Sequence, residues 1–91
     1  MALDPASAYS RLIAAVADLD GVKLHADEAA IIRSAADARL FGDADVDVRM
    51  ADVDVVLLRL ELGDRLTDEA IERLRHRLQD ITPYGSPRLA A

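Results

Sequence analysis

A stretch of 19 residues without glycine or proline, residues 44–62, limits the fold of this chain more than any other feature. Its main apolar residues recur at spacings of four and three, which is typical of one face of a helix. These residues are Val46, Met50, Val53, Leu57 and Leu60. Five valines and two short alternating runs also fit strands, but a strand typically has only about 5–6 residues. We therefore predict a helix and an all-α fold, with α+β as the alternative if residues 44–62 form strands.

Three further segments carry signals of helix termini. Pro5 stands at a first helical position directly after Asp4, a residue type that caps helix N-termini. Gly42 is a typical helix stop, and Thr67 precedes two acidic residues in the manner of a helix start. The helices expected from these signals span residues 5–19, 26–41, 44–62 and 68–81.

Composition favours a small helical domain. The chain has 91 residues, which corresponds to one domain, and 52% of them are hydrophobic. Seventeen are alanine, the best helix former, and three are aromatic, so the core is expected to be thin. We predict a compact bundle of three or four short helices within residues 1–82. A flexible C-terminal tail is expected over residues 83–91, which contain two prolines and a glycine.

Composition and charge also argue against several classes of function. The chain has no cysteine, which excludes disulfides and thiolate zinc sites and fits a cytoplasmic protein. Its first residues lack the basic start and apolar run of a signal peptide, and no apolar run approaches the roughly 20 residues of a membrane span. A formal net charge of −6 makes nucleic acid an unlikely partner.

A run of alternating aspartates resembles part of a calcium-binding loop. Asp43, Asp45 and Asp47 occupy the first, third and fifth positions of such a loop. The sixth position needs glycine but holds Val48, and the twelfth needs a bidentate glutamate but holds Asp54. We therefore interpret the run as the solvated start of a helix and predict no metal site. Whether the run binds any cation is left open.

The residues needed for catalysis are sparse. The two histidines, His25 and His76, each have a carboxylate three or four residues away, as many surface histidines do. No serine lies in a glycine-flanked nucleophile elbow. We predict that the protein is not an enzyme and uses no cofactor and no small-molecule substrate.

Basic residues are concentrated near the predicted fourth helix. Arg73, Arg75 and Arg77 lie on it, and Arg65 precedes it. Together they suggest an alternative function as a small DNA-binding regulator, with these four arginines contacting phosphates. Acidic residues three or four positions away, such as Glu69, would neutralise part of this charge.

Apolar seams on the third and fourth predicted helices favour protein association. The third helix carries apolar residues off its main stripe as well, so it is either central in the bundle or part of an interface. We predict a non-catalytic interaction module, either an adaptor or a regulatory or assembly protein. It would self-associate as a homo-oligomer or dock a protein partner. The predicted partner-binding residues are Val53, Val56, Leu57, Leu60, Leu74 and Leu78.

Overall fold

The computed structural model describes residues 4–83 and contains four helices within that range. They are α1 (Pro5–Leu19), α2 (Ala26–Phe41), α3 (Val46–Leu62) and α4 (Asp68–Gln79). The predicted all-α fold is therefore confirmed, and residues 44–62 do not form strands. Within residues 4–83, β structure is limited to one isolated bridge between Asp20 and Leu24.

The helix ends predicted from the sequence are formed by the expected residues. The Ser7 N–H donates to the Asp4 carboxylate at 2.7 Å, and the Ala70 N–H donates to the Thr67 hydroxyl at 3.1 Å. These bonds satisfy N–H groups that have no partner inside the helix. Gly42 ends α2 with φ of 65°, in the left-handed region where glycine has no steric cost.

Two helices are shorter than the sequence predicts. α3 begins at Val46, with Asp45 as its N-cap residue, and α4 ends at Gln79. The end of α4 is held by Arg39 of α2, whose guanidinium donates to the carbonyls of Gln79 at 3.0 Å and Ile81 at 3.1 Å. Because terminal carbonyls of a helix lack intrahelical donors, Arg39 satisfies them and ties α2 to α4.

α2 is the central helix of the bundle. It packs against α1 and α3, α1 packs against α4, and α3 touches α4 more lightly. The buried side of α2 is rich in alanine, which lets the neighbouring helices approach closely. Leucine, isoleucine and valine from the other helices and their connections fill the core between them. The largest of these fully buried side chains are Leu12, Val16, Leu24, Val53, Val56, Leu57, Leu60, Leu78 and Ile81.

The predicted C-terminal tail, residues 83–91, lies outside the described residues except for Pro83. Across residues 4–83, none of the helices combines the length and apolar character that crossing a membrane requires.

Candidate interaction surface

The six residues predicted to bind a partner are placed in the core of the chain itself. Four of them form the buried side of α3, and Leu74 and Leu78 come from α4. Each is at most 4% exposed, so packing within the monomer explains their apolar character. A partner docking on the folded chain has no access to side chains buried to this degree. Any docking surface of this conformation must consist of other residues.

The opposite side of α3 carries a second apolar row that is exposed. We call it the outer face of α3, and it consists of Val48, Ala51, Val55, Leu58 and Leu62. Its four large side chains are 63%, 51%, 53% and 77% exposed, in chain order. The spacings are three, four, three and four, as in the seam of a helix that packs along another helix. α3 is therefore apolar on two opposite sides, and its neighbours in the bundle cover one of them.

The sequence showed that α3 has apolar residues off its main stripe, but it did not show whether they are buried or exposed. Val55, Val56, Leu58 and Leu62 lie off the main stripe of α3, and their positions favoured either a central helix or an interface. Val56 is buried, and the other three are exposed. Within residues 4–83, α3 is not the central helix, because α2 occupies that position. Since both rows of α3 have helical spacing, periodicity alone does not determine which row faces the core.

The outer face has edges of different charge. One edge carries an acid at every seventh residue, namely Asp47, Asp54 and Glu61, all of them exposed. We call this row the acidic edge; it lies on the side of α4, where Asp54 accepts from Arg75 at 3.4 Å. The other edge carries Asp52 and Arg59, one charge of each sign.

The first of the four candidate DNA-binding arginines is half-buried and bound to a buried carboxylate. Arg65 donates to both carboxylate oxygens of Glu28, at 2.9 and 2.7 Å. The Glu28 carboxylate also accepts from the backbone N–H of His25 at 2.9 Å and is almost fully buried. These hydrogen bonds, with that of Arg65 first, hold the pKa of Glu28 below its ordinary value. Arg65 is therefore committed to positioning the α3–α4 connection on α2.

The other three arginines differ in their surroundings. Arg75 lies between α3 and α4, 3.4 Å from Asp54 and 3.6 Å from Glu72. The side chains of Arg73 and Arg77 form no ion pair or hydrogen bond with the other residues between positions 4 and 83. The structure thus separates two engaged arginines from two available ones.

Arg73 and Arg77 line a shallow groove between α1 and α4, which we call the α1/α4 groove. Arg11 of α1 lines the same region next to Arg77, and the structure gives it no ion pair within the described range either. The floor of the groove is apolar and contains Ala15, Leu19, Ala70 and Leu74. Asp18 is the acid among these lining residues, so the charged lining of three arginines and one aspartate is net positive. No sequence pattern predicts that Arg11 lies near the two arginines of α4, because this placement depends on how α1 and α4 pack.

The histidines and the aspartate run lie at helix ends or on exposed faces. His25 is the N-cap residue of α2, and His76 is exposed on α4, 3.9 Å from Glu72. Asp45 pairs with Arg49 at 2.9 Å at the start of α3. Within residues 4–83, no three histidine, aspartate or glutamate side chains are arranged to hold a metal ion.

Comparisons of the chain with protein-family models, with curated proteins and with solved structures returned no match.

Proposed function

We propose that this protein is a non-catalytic interaction module that binds another protein surface through the outer face of α3. The observation that carries the proposal is the exposed apolar row with heptad-like spacing on the side of α3 that faces away from the core. Such a row has no use in the core and is unfavourable in water, so it favours a contact that removes it from solvent. An adaptor, a regulator or an assembly protein of the cytoplasm would use a surface of this kind.

The docking residues in this proposal are Val48, Val55, Leu58 and Leu62. They replace the buried residues of α3 and α4 that the sequence favoured. The acidic edge beside them favours an approaching surface that carries positive charge.

The test compares the wild type with Val55→Lys/Leu58→Lys, which places two charges on the outer face. Lysine is a good helix former, and both positions are exposed, so we expect the fold to be retained. The control is Val22→Lys/Phe41→Lys, which makes the same kind of change at two exposed apolar residues away from α3. Circular dichroism checks that all three proteins are equally helical.

Two measurements report whether the three proteins associate. Sedimentation velocity at micromolar concentrations reports self-association, and affinity capture from the native host, followed by rebinding of the purified pair, reports a heterologous partner. We expect association in at least one of them for the wild type and the control, and its loss in Val55→Lys/Leu58→Lys. Equal behaviour of all three proteins in both measurements would overturn the proposal.

DNA binding by α4 has less support as a function. Of the four arginines on which it depended, Arg65 is bound to Glu28 and Arg75 lies between two carboxylates. The remaining pair, Arg73 and Arg77, is retained as a competing explanation in the experiment below.

A further inference from the structure

Two separate surfaces of the molecule complement each other. The outer face of α3 is an apolar row with an acidic edge, and the α1/α4 groove is an apolar floor with three arginines around it. They share no residue, so one molecule can present both at once. Opposite charges placed around apolar patches are typical of surfaces that bind each other.

We propose that the outer face of α3 of one copy docks in the α1/α4 groove of a second copy of this chain. The inference rests on the proposed docking role of the outer face and names its occupant. Leu58 and Val55 would lie against the apolar floor of the groove, at the small side chains of Ala15 and Ala70. The acidic edge would lie beside Arg73 and Arg77, which have no ion pair within residues 4–83 of their own copy.

Charge disfavours the simpler alternative, in which two outer faces pack against each other. In an antiparallel pair of helices, like edges meet, so the acidic edge would lie against its own copy. In a parallel pair it would meet the opposite edge, whose Asp52 and Arg59 contribute one charge of each sign. Asp54 is paired with Arg75 of its own copy. Neither arrangement brings net positive charge to Asp47 and Glu61 of the acidic edge, whereas the groove does.

The proposed contact joins two different surfaces, so after the first contact the pair keeps one free groove, on one copy, and one free outer face, on the other. Such head-to-tail contacts close as a reciprocal pair or a ring, or continue as a filament. Because two different surfaces are needed, two variants that each lack one of them can still pair with each other, which a face-to-face contact does not allow.

The experiment uses two variants that are each defective in one surface. Val55→Lys/Leu58→Lys retains the groove, and Arg73→Gln/Arg77→Gln retains the outer face. Lys23→Gln/Arg33→Gln removes the same number of positive charges at residues that do not line the groove, and it is the charge control. Arg33 lies 3.5 Å from Asp20, so this variant also loses an ion pair. Circular dichroism checks the folding of each protein before sedimentation velocity is measured.

We expect the wild type and the charge control to associate with rising concentration, and each surface variant alone to remain monomeric. An equimolar mixture of the two variants should form a species of twice the chain mass, because one intact outer face meets one intact groove. The sedimentation coefficient of each variant alone, at the same total concentration, provides the baseline.

Other results would overturn the inference in distinguishable ways. If Arg73→Gln/Arg77→Gln associates like the wild type, the contact is face to face. If the wild type is monomeric but the outer face still binds a heterologous protein, the inference fails while the proposed function stands. If the mixture stays monomeric and the groove variant instead loses salt-sensitive binding to a DNA duplex, the groove arginines serve nucleic acid.

Discussion

The two sides of α3 have nearly the same composition but opposite environments. Val53, Leu57 and Leu60 face α2 and the core and are essentially inaccessible to water, whereas Val55, Leu58 and Leu62 are more than half exposed. Both rows repeat with helical spacing, so each would serve equally well as a core stripe. Their difference shows that an apolar helical stripe is evidence for burial against something, and only the packing shows whether that contact lies within one chain.

The largest effect should come from shortening a side chain on the inner side of α3. Leu57→Ala leaves a cavity in the core, and we expect it to lower the free energy of unfolding by about 2–5 kcal/mol. The adjacent variant Leu58→Ala, on the outer face, should change it by less than about 0.5 kcal/mol. Urea unfolding monitored by circular dichroism measures both values. Equal losses at the two positions would show that the assignment of the two sides is wrong.

The same contrast between inside and outside applies to ion pairs. Glu28→Gln weakens the paired hydrogen bonds to Arg65 at a buried position, so we expect a loss of about 1.5–3 kcal/mol in the free energy of unfolding. The comparison variant is Asp37→Asn, at an exposed carboxylate on the same helix that accepts one hydrogen bond, from the Tyr9 hydroxyl at 2.6 Å. A loss for Glu28→Gln no greater than that for Asp37→Asn would contradict the role of Glu28 as an internal anchor.

The Glu28 pair should also make stability depend on pH in the acid range. Because the pKa of Glu28 is lowered in the folded state, its contribution is present above its unfolded pKa, which is about 4.3. It is lost as the pH falls through the lower folded value. The difference in urea midpoint between wild type and Glu28→Gln should therefore be constant above about pH 5 and shrink below about pH 4. A difference that grows with acidification would reverse the predicted sign.

The smallest effect is expected at the exposed pair that begins α3. Arg49 donates to Asp45 at 2.9 Å, and both side chains are nearly half exposed, so solvent screens their interaction. The pair should contribute about 0.3–0.5 kcal/mol to the free energy of unfolding. Arg49 also donates to the Ser34 hydroxyl at 3.2 Å, so Arg49→Gln alone removes both contacts. A double-mutant cycle with Asp45→Asn isolates the interaction energy of the pair. A coupling as large as the effect of Glu28→Gln would remove the distinction between buried and exposed pairs.

Local signals were sufficient for the helices and most of their ends. Asp4, Thr67 and Gly42 act on backbone groups within a few residues, so their roles follow from the order of residues alone. The errors at Ala44 and Ile81 are of two residues each. The Asp45 side chain makes no capping hydrogen bond at the start of α3. At the end of α4, the carbonyls of Gln79 and Ile81 accept from Arg39, which lies 40 and 42 positions earlier in the chain.

The candidate surface was only partly predictable. The sequence indicated that residues off the main stripe of α3 required an explanation, but it favoured Leu57 and Leu60 as contacts, and these are buried. It grouped Arg65 with Arg73 and Arg77, although Arg65 turns inward to Glu28. Arginines that are close in the chain were thus predicted to form one site, but in the fold they belong to separate places.

By itself, the sequence determined four helices, their approximate limits and the all-α class, because capping, helix propensity and apolar spacing act between residues close in the chain. The tertiary structure alone decided which side of α3 faces water and which arginines remain available at the surface. It also brought Arg11 next to Arg77. The reason is that these outcomes depend on which helices pack together, and that choice is made by the fit of whole faces, with the alanine-rich α2 taking the centre.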